Sequence, residues 1–229
     1  MPVMWIAVAA AVLAAAITIT MLRGRRRPGD ARRAPATLFD LEDSTAVDAR
    51  TGAVRSLQTA DLLLEEPALR EVWSPVNLER LARTYWRFLT RVTFGLIRVR
   101  YTADERSLVL IAPPLKLVTF QAPEYEMEPA RGLVRWRIAR GLLVARRGRD
   151  GGGYLQIEVR RSPTDDPGMI RLHVEVEVAN FYPSIASGIS RRVYELTQSR
   201  IHVLVTRGFL RSLARLELAE SRVGRLAPQ

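Results

Sequence analysis

The chain has no cysteine in its 229 residues. That excludes a disulfide framework, a thiolate metal site and a cysteine nucleophile. Lysine is nearly absent: of 35 basic residues, only Lys116 is a lysine. Together with abundant Ala, Gly, Pro, Leu and Val, this bias is what a GC-rich genome produces, so the arginine preference is not in itself a design for phosphate recognition. Histidine occurs twice, as His173 and His202, and nothing at metal-ligand spacing accompanies either. No Gly-x-Ser-x-Gly elbow and no Gly-x-Gly-x-x-Gly strand-to-helix turn is present. Asp165 and Asp166 lack the further oxygen ligands at loop spacing that calcium needs. The glycine-rich run from Gly148 to Gly153 leads into a strand pattern, not a helix, and reads as a hairpin turn and not a phosphate loop. The sequence therefore assigns no catalytic residue, no metal and no cofactor.

What is present in excess is positive charge and one long apolar run. The formal net charge is +11, which attracts the chain to anionic membrane or to nucleic acid. No nucleic-acid module is recognisable and the basic residues are spread along the chain, so nucleic acid is not expected as a partner. Pro2 to Leu22 carries no charge and is long enough to cross a hydrocarbon core. It lacks the basic start of a cleaved signal peptide and ends in Arg23-Gly24-Arg25-Arg26-Arg27-Pro28, a stop-transfer pattern. Under the positive-inside rule everything after residue 22 lies in the cytoplasm. The expectation is a single-pass protein of the inner (plasma) membrane, with Arg23, Arg25, Arg26, Arg27, Arg32 and Arg33 against anionic lipid headgroups.

The domain reading follows: 1–22 transmembrane anchor, 23–58 a basic then acidic juxtamembrane linker, 59–222 the folded domain and 223–229 a tail. Asp40, Glu42, Asp43 and Asp48 make residues 39–52 read as irregular chain. Thr59 to Glu66 reads as a short helix broken at Pro67, and no strand is read ahead of it. Ser74-Pro75 is a stronger helix start, cap then first-turn proline, followed by Leu78, Leu81, Tyr85, Phe88 and Leu89 at helical spacing. Trp73 and Trp86 read as packing aromatics.

Strand patterns follow near 93–101, 107–111, 115–127, 133–145, 153–161 and 169–181, joined by short turns, which predicts an antiparallel meander. The clearest is Ile170 to Val178, which alternates apolar and polar without a miss. A four-residue loop at Pro129–Gly132 would pair Glu126 with Arg135 and Glu124 with Arg137 on one face, and Tyr125 with Trp136 on the other. That makes Glu124 and Glu126 salt-bridge partners and not a catalytic carboxylate pair.

From Pro183 to Arg222 the period becomes helical. Ile185, Ile189, Val193 and Leu196 share one face, then Ile201, Val205, Phe209, Leu213 and Leu216 another, with Gly208 between at a curve or tight contact. Arg200, Arg207, Arg211, Arg215 and Arg222 run opposite, as a solvated face or one that meets lipid headgroups. His202 reads as a hydrogen-bonded core histidine, with ligand contact or proton transfer as the alternative. A meander ending in one long helix predicts an α+β fold, a sheet curled around that helix.

Trp136-Arg137-Ile138 leading to Gly141-Leu142-Leu143, then Asn180-Phe181-Tyr182-Pro183, Tyr194 and the His202 region with Phe209 and Leu213, resemble the START-like (SRPBCC, helix-grip) superfamily. The match covers roughly residues 75–220, and within the superfamily it is similar to a poorly characterised bacterial branch. The membrane anchor is an addition to the family pattern. The resemblance implies an apolar cavity between sheet and closing helix, suited to a lipid or similar hydrophobic molecule. Tyr125, Trp136, Tyr154, Phe181, Tyr182, His202 and Phe209 are the candidate cavity residues, each with core packing as its plain alternative. No catalytic residue carries over. The expected function is a membrane-tethered, non-enzymatic domain that binds a lipid or other hydrophobic ligand. The alternatives are a scaffold with a filled core and an open place for a protein partner, or a cyclase- or hydrolase-like enzyme using His202.

Overall fold

The computed structural model describes residues 36–110, 115–149 and 152–184, and in the C-terminal segment residues 205, 206, 208–210, 213, 218 and 219. The expected anchor at 2–22, its flanking arginines and His202 lie outside the described residues. No helix among the described residues is long and apolar enough to cross a membrane.

The sheet begins earlier than the sequence pattern suggests. Ala36–Val47 (β1) and Val54–Glu65 (β2) form an antiparallel hairpin. Its turn is held by the Asp48 carboxylate, which accepts from the backbone N–H groups of Arg50 at 2.8 Å and Thr51 at 2.7 Å. This corrects the irregular chain read at 39–52 and the helix read from Thr59. β1 is an edge strand and almost wholly exposed, so no buried face imposes alternation on it. In β2 the inward positions begin with Ser56, Gln58 and Ala60, where polar and small residues mask the two-residue period. Pro67 does not break a helix. It sits in the first turn of one, Glu66–Val72 (α1), where its missing N–H has no intrahelical partner to lose.

Pro75–Val92 (α2) starts as expected: the Ser74 hydroxyl accepts from the Asn77 N–H at 3.3 Å, with proline in the first turn. The meander follows as Ile97–Tyr101 (β3), Glu105–Leu110 (β4), Lys116–Gln121 (β5), Glu124–Met127 (β6), Arg131–Arg140 (β7), Tyr154–Pro163 (β8) and Met169–Phe181 (β9). The single strand read at 115–127 is divided at Ala122-Pro123, because proline offers no N–H to a ladder. Strand order is β1-β2-β9-β8-β7-β5-β4-β3, all antiparallel, with β6 on the same edge of β7 as β5. The β6–β7 register differs from the expected one by two residues: Tyr125 faces Val134 and Glu124 faces Arg135. A shift of two keeps every side chain on its expected face.

One face of this sheet is apolar and covered. Leu62, Leu64, Val134, Trp136, Ile157, Val174 and Val176 are all at 1% exposure or less on that face. α2 lies across it with Leu78, Leu81, Ala82, Tyr85, Trp86 and Leu89 buried. The C-terminal segment has helical backbone at Val205, Thr206, Gly208–Leu210 and Leu213. It lies beside α2: Arg80 Nε donates to the Ala219 carbonyl at 2.9 Å and the Ala219 N–H donates to Thr84 Oγ1 at 2.8 Å. The tight contact expected at Gly208 is there, since a Cβ at that position would stand 2.7 Å from Phe88 Cδ1. Val205, Phe209 and Leu213 of the expected apolar stripe are buried. The rest of the expected closing helix lies outside the described residues.

Candidate functional site

The two faces of the sheet treat polar side chains in opposite ways. On the outer face they are paired. Glu158, at 3% exposure, accepts from Arg131 Nε at 2.8 Å, Arg160 Nε at 2.6 Å and Gln156 Nε2 at 3.0 Å. Burial pushes its carboxyl up, but the hydrogen bonds and charges of Arg131 and Arg160 more than offset this and hold it below its ordinary value. Glu177 accepts from Arg55 Nε at 2.7 Å and from the Tyr154 hydroxyl at 2.8 Å. Arg137 reaches Glu124 at 2.6 Å and Arg131 reaches Glu126 at 3.1 Å, so these carboxylates are the salt-bridge partners their strand position implies. His173 Nδ1 lies 2.6 Å from Asp61 Oδ1 on the same face. Alternation of charge along β7, β8 and β9 builds this network, in which Glu124, Glu126, Glu158 and Glu177 are each held by arginine.

The inner side is mainly a packed aromatic chain. Phe209 meets Tyr85 edge-on at 5.8 Å between ring centres, Tyr85 meets Trp86 at 5.3 Å, and Trp86 meets Trp136 at 5.0 Å and Phe120 at 5.5 Å. Beside it stand buried polar atoms without hydrogen bonds, of which Arg83 Nε keeps an ion pair with Glu79 Oε1 at 3.7 Å. Among the described residues, the buried side-chain nitrogen and oxygen atoms that make no hydrogen bond are both amide atoms of Gln58, Glu79 Oε2, Arg83 Nε, Trp86 Nε1 and Thr206 Oγ1. None belongs to the outer network. Gln58 is on the inward set of β2; Glu79, Arg83 and Trp86 are on α2; Thr206 is on the C-terminal segment. Buried polar groups are ordinarily satisfied, so these atoms ask for an explanation.

Two of these groups line the same opening. A narrow cleft between the β1–β2 hairpin and the C-terminal segment is bordered by Leu41, Glu42, Asp43, Gln58, Thr206 and Leu210. It holds about 250 Å³ of unfilled space, part of it open to solvent. Gln58 is 4% exposed and Thr206 1%. Behind Thr206 stands Tyr85, whose phenol burial raises well above its ordinary value while the adjacent Thr206 hydroxyl pulls it partly back.

The candidate cavity residues divide by position. Trp136 and Phe209 are fully buried on the inner side, in the aromatic chain, and Phe181 is buried at 8% in the same core. Tyr125 shares the inner face with Val134 but keeps 44% of its surface exposed, at the rim. Tyr154 points to the outer face, where it pairs with Glu177 and lies under the Arg135 guanidinium. Tyr182 packs against the turn Arg146–Gly148, under Arg147. Gln58 and Thr206 were not among the expected residues. The available signal was a glutamine on the inward period of a strand, legible only once β2 is recognised as a strand.

No protein-family model matches the chain, and no curated protein matches it. Several solved structures are similar to it. Human StAR-related lipid transfer protein 5 is 12% identical, with 91% of this chain and 98% of that chain covered and a TM-score of 0.36. CalU16 from Micromonospora echinospora is 12% identical, covering 79% of this chain and 92% of its own, with a TM-score of 0.27. A STAR-related lipid transfer protein fragment from Xanthomonas axonopodis is 16% identical, covering 76% and 98%, also with a TM-score of 0.27. Scores this low carry no functional inference; the architecture stands on the strand order and helix placement above.

Proposed function

We propose that this domain binds a lipid or other hydrophobic small molecule between the concave face of its sheet and the C-terminal segment, without catalysing a reaction. In the same proposal residues 2–22 tether it to the inner membrane, and the arginines after them hold it at the cytoplasmic leaflet. The observation that carries the binding reading is the distribution of unpaired polar atoms. A core built only for stability has no use for a buried amide, indole N–H and hydroxyl without partners, each of which costs about 1–3 kcal/mol. The amide of Gln58 and the hydroxyl of Thr206 border the cleft, where a ligand's polar end can reach them. The reading is tested by native mass spectrometry of the full-length chain released from nanodiscs. A discrete one-to-one adduct that survives activation supports it; bare protein alone refutes it.

A second reading has its own support. The rings of Phe209, Tyr85, Trp86 and Trp136 touch in sequence and fill the centre of the interior with the chain's own side chains. That arrangement suits an interaction scaffold with a closed core, which the same spectrum would show as bare protein.

A further inference from the structure

We infer that the cleft lined by Gln58 and Thr206 is a recognition subsite for the uncharged, hydrogen-bonding head of the ligand: a hydroxyl, amide or carbonyl attached to an apolar body. The inference rests on the binding reading above and adds the chemistry of the ligand's polar end.

The groups present select that chemistry. The Gln58 carboxamide offers an N–H donor and a carbonyl acceptor, and both atoms are buried with no partner. The Thr206 hydroxyl, also buried, lies beside the Tyr85 phenol without a well-formed hydrogen bond and can donate or accept. All of these atoms border one opening. A hydroxyl could donate to the Gln58 carbonyl oxygen and accept from the Gln58 N–H, which pairs both amide atoms. Charge argues against an anionic head. Glu42 borders the cleft, and no arginine or lysine is among the described residues lining it. A carboxylate or phosphate entering there would lose hydration without gaining a cation from the described lining residues.

Size sets the division of labour. Whole-ligand pockets run to roughly 300–1,000 Å³, whereas the comparable volume of this cleft is about 20 Å³, room for one small polar group. It can hold a head group while the apolar body lies elsewhere along the interior. The hairpin register supports a built feature: Ser56, Gln58 and Ala60 occupy inward positions of β2 continuous with Leu62 and Leu64. The inward face of one strand thus passes from polar at the cleft to apolar beyond it. The Thr45 and Ser56 hydroxyls at that polar end are already paired with each other at 3.0 Å. The unpaired capacity is therefore concentrated at Gln58 and Thr206.

The test uses the full-length chain in nanodiscs and four probes sharing one sixteen-carbon body: hexadecane, hexadecanol, hexadecanamide and hexadecanoate. Retention of each is read by native mass spectrometry in competition. Hexadecanol and hexadecanamide are expected to be retained about ten- to a hundredfold over hexadecanoate, the range that one or two satisfied buried hydrogen bonds supply. In Gln58→Met, and separately in Thr206→Val, that preference falls while retention of hexadecane is unchanged. If the wild type retains all four probes alike, or both variants keep its preference, the cleft holds water only and the subsite is refuted while the apolar interior stands. If the wild type retains none, hexadecane included, the apolar interior itself is refuted and the subsite with it.

Discussion

Gln58→Met is expected to stabilise the ligand-free protein. Methionine follows the same unbranched path as glutamine but has no amide to leave unpaired. Both amide atoms of Gln58 are buried at 4% residue exposure with no hydrogen-bond partner. Removing an unsatisfied amide of this kind recovers about 1–3 kcal/mol by mutational measures. The cleft opens to solvent and can admit water, so the lower half of that range applies, about 1–2 kcal/mol. For a chain of this size each kcal/mol shifts Tm by about 2–4 °C, which gives a rise of about 2–8 °C. The assay is thermal unfolding followed by circular dichroism, with and without hexadecanol. Without the alcohol the variant melts higher than wild type; with saturating alcohol the wild type gains more than the variant, because a ligand that binds only the native state raises its stability. A variant that melts below wild type without ligand would refute the reasoning, since it would mean that the amide is satisfied in the folded protein.

Four further outcomes follow from the structure. Gly141→Ala should lower stability by more than about 3 kcal/mol in urea unfolding, because φ is +150° there and a Cβ would stand 2.3 Å from the Leu117 carbonyl oxygen, which is backbone and cannot swing aside. Trp136→Ala, at 1% exposure and in ring contact with Trp86, should cost about 3–5 kcal/mol in the same assay. Glu158 is held below its ordinary pKa, so its stabilising contribution is present above the unfolded carboxylate's pKa and is lost as pH falls through the folded one. Wild-type Tm should therefore fall more steeply than that of Glu158→Gln on acidification, and at pH 7 the variant should be less stable by about 1–2 kcal/mol, since its arginine partners are partly exposed. Ser74→Ala removes the cap of α2 and should cost about 1 kcal/mol, read from the shift in urea midpoint.

How far the sequence carried depended on whether burial was one-sided. β9 was legible to its ends because Leu172, Val174 and Val176 face the core while Arg171, His173 and Glu175 do not. Ser74 and Pro75 marked the start of α2 because capping is a local interaction. The faces of the β6–β7 hairpin were legible and its register was not: the turn closes between Glu128 and Arg131, whose backbone groups bond each other, and charge alternation is blind to a shift of two. β1 escaped because an exposed edge strand needs no apolar face, and β2 because Ser56 and Gln58 take inward places that apolar side chains usually fill. Gln58 thus both hid the strand and marks the candidate site. Of the expected cavity residues, Trp136, Phe181 and Phe209 belong to the core, while Tyr154 has the outward parity of Gln156 and Glu158 and pairs there with Glu177, a placement that strand alternation itself gives.

Contact between an apolar molecule and the inner aromatics is the central claim, and tryptophan quenching reads it directly. With Trp5→Phe and Trp73→Phe in the full-length chain, the remaining emission comes from Trp86 and Trp136, both on the inner side. Titration with a chain-brominated hexadecanol in nanodiscs should quench that emission to a plateau at one equivalent per chain. Quenching that rises linearly with no plateau, as simple partitioning into lipid would give, would contradict it.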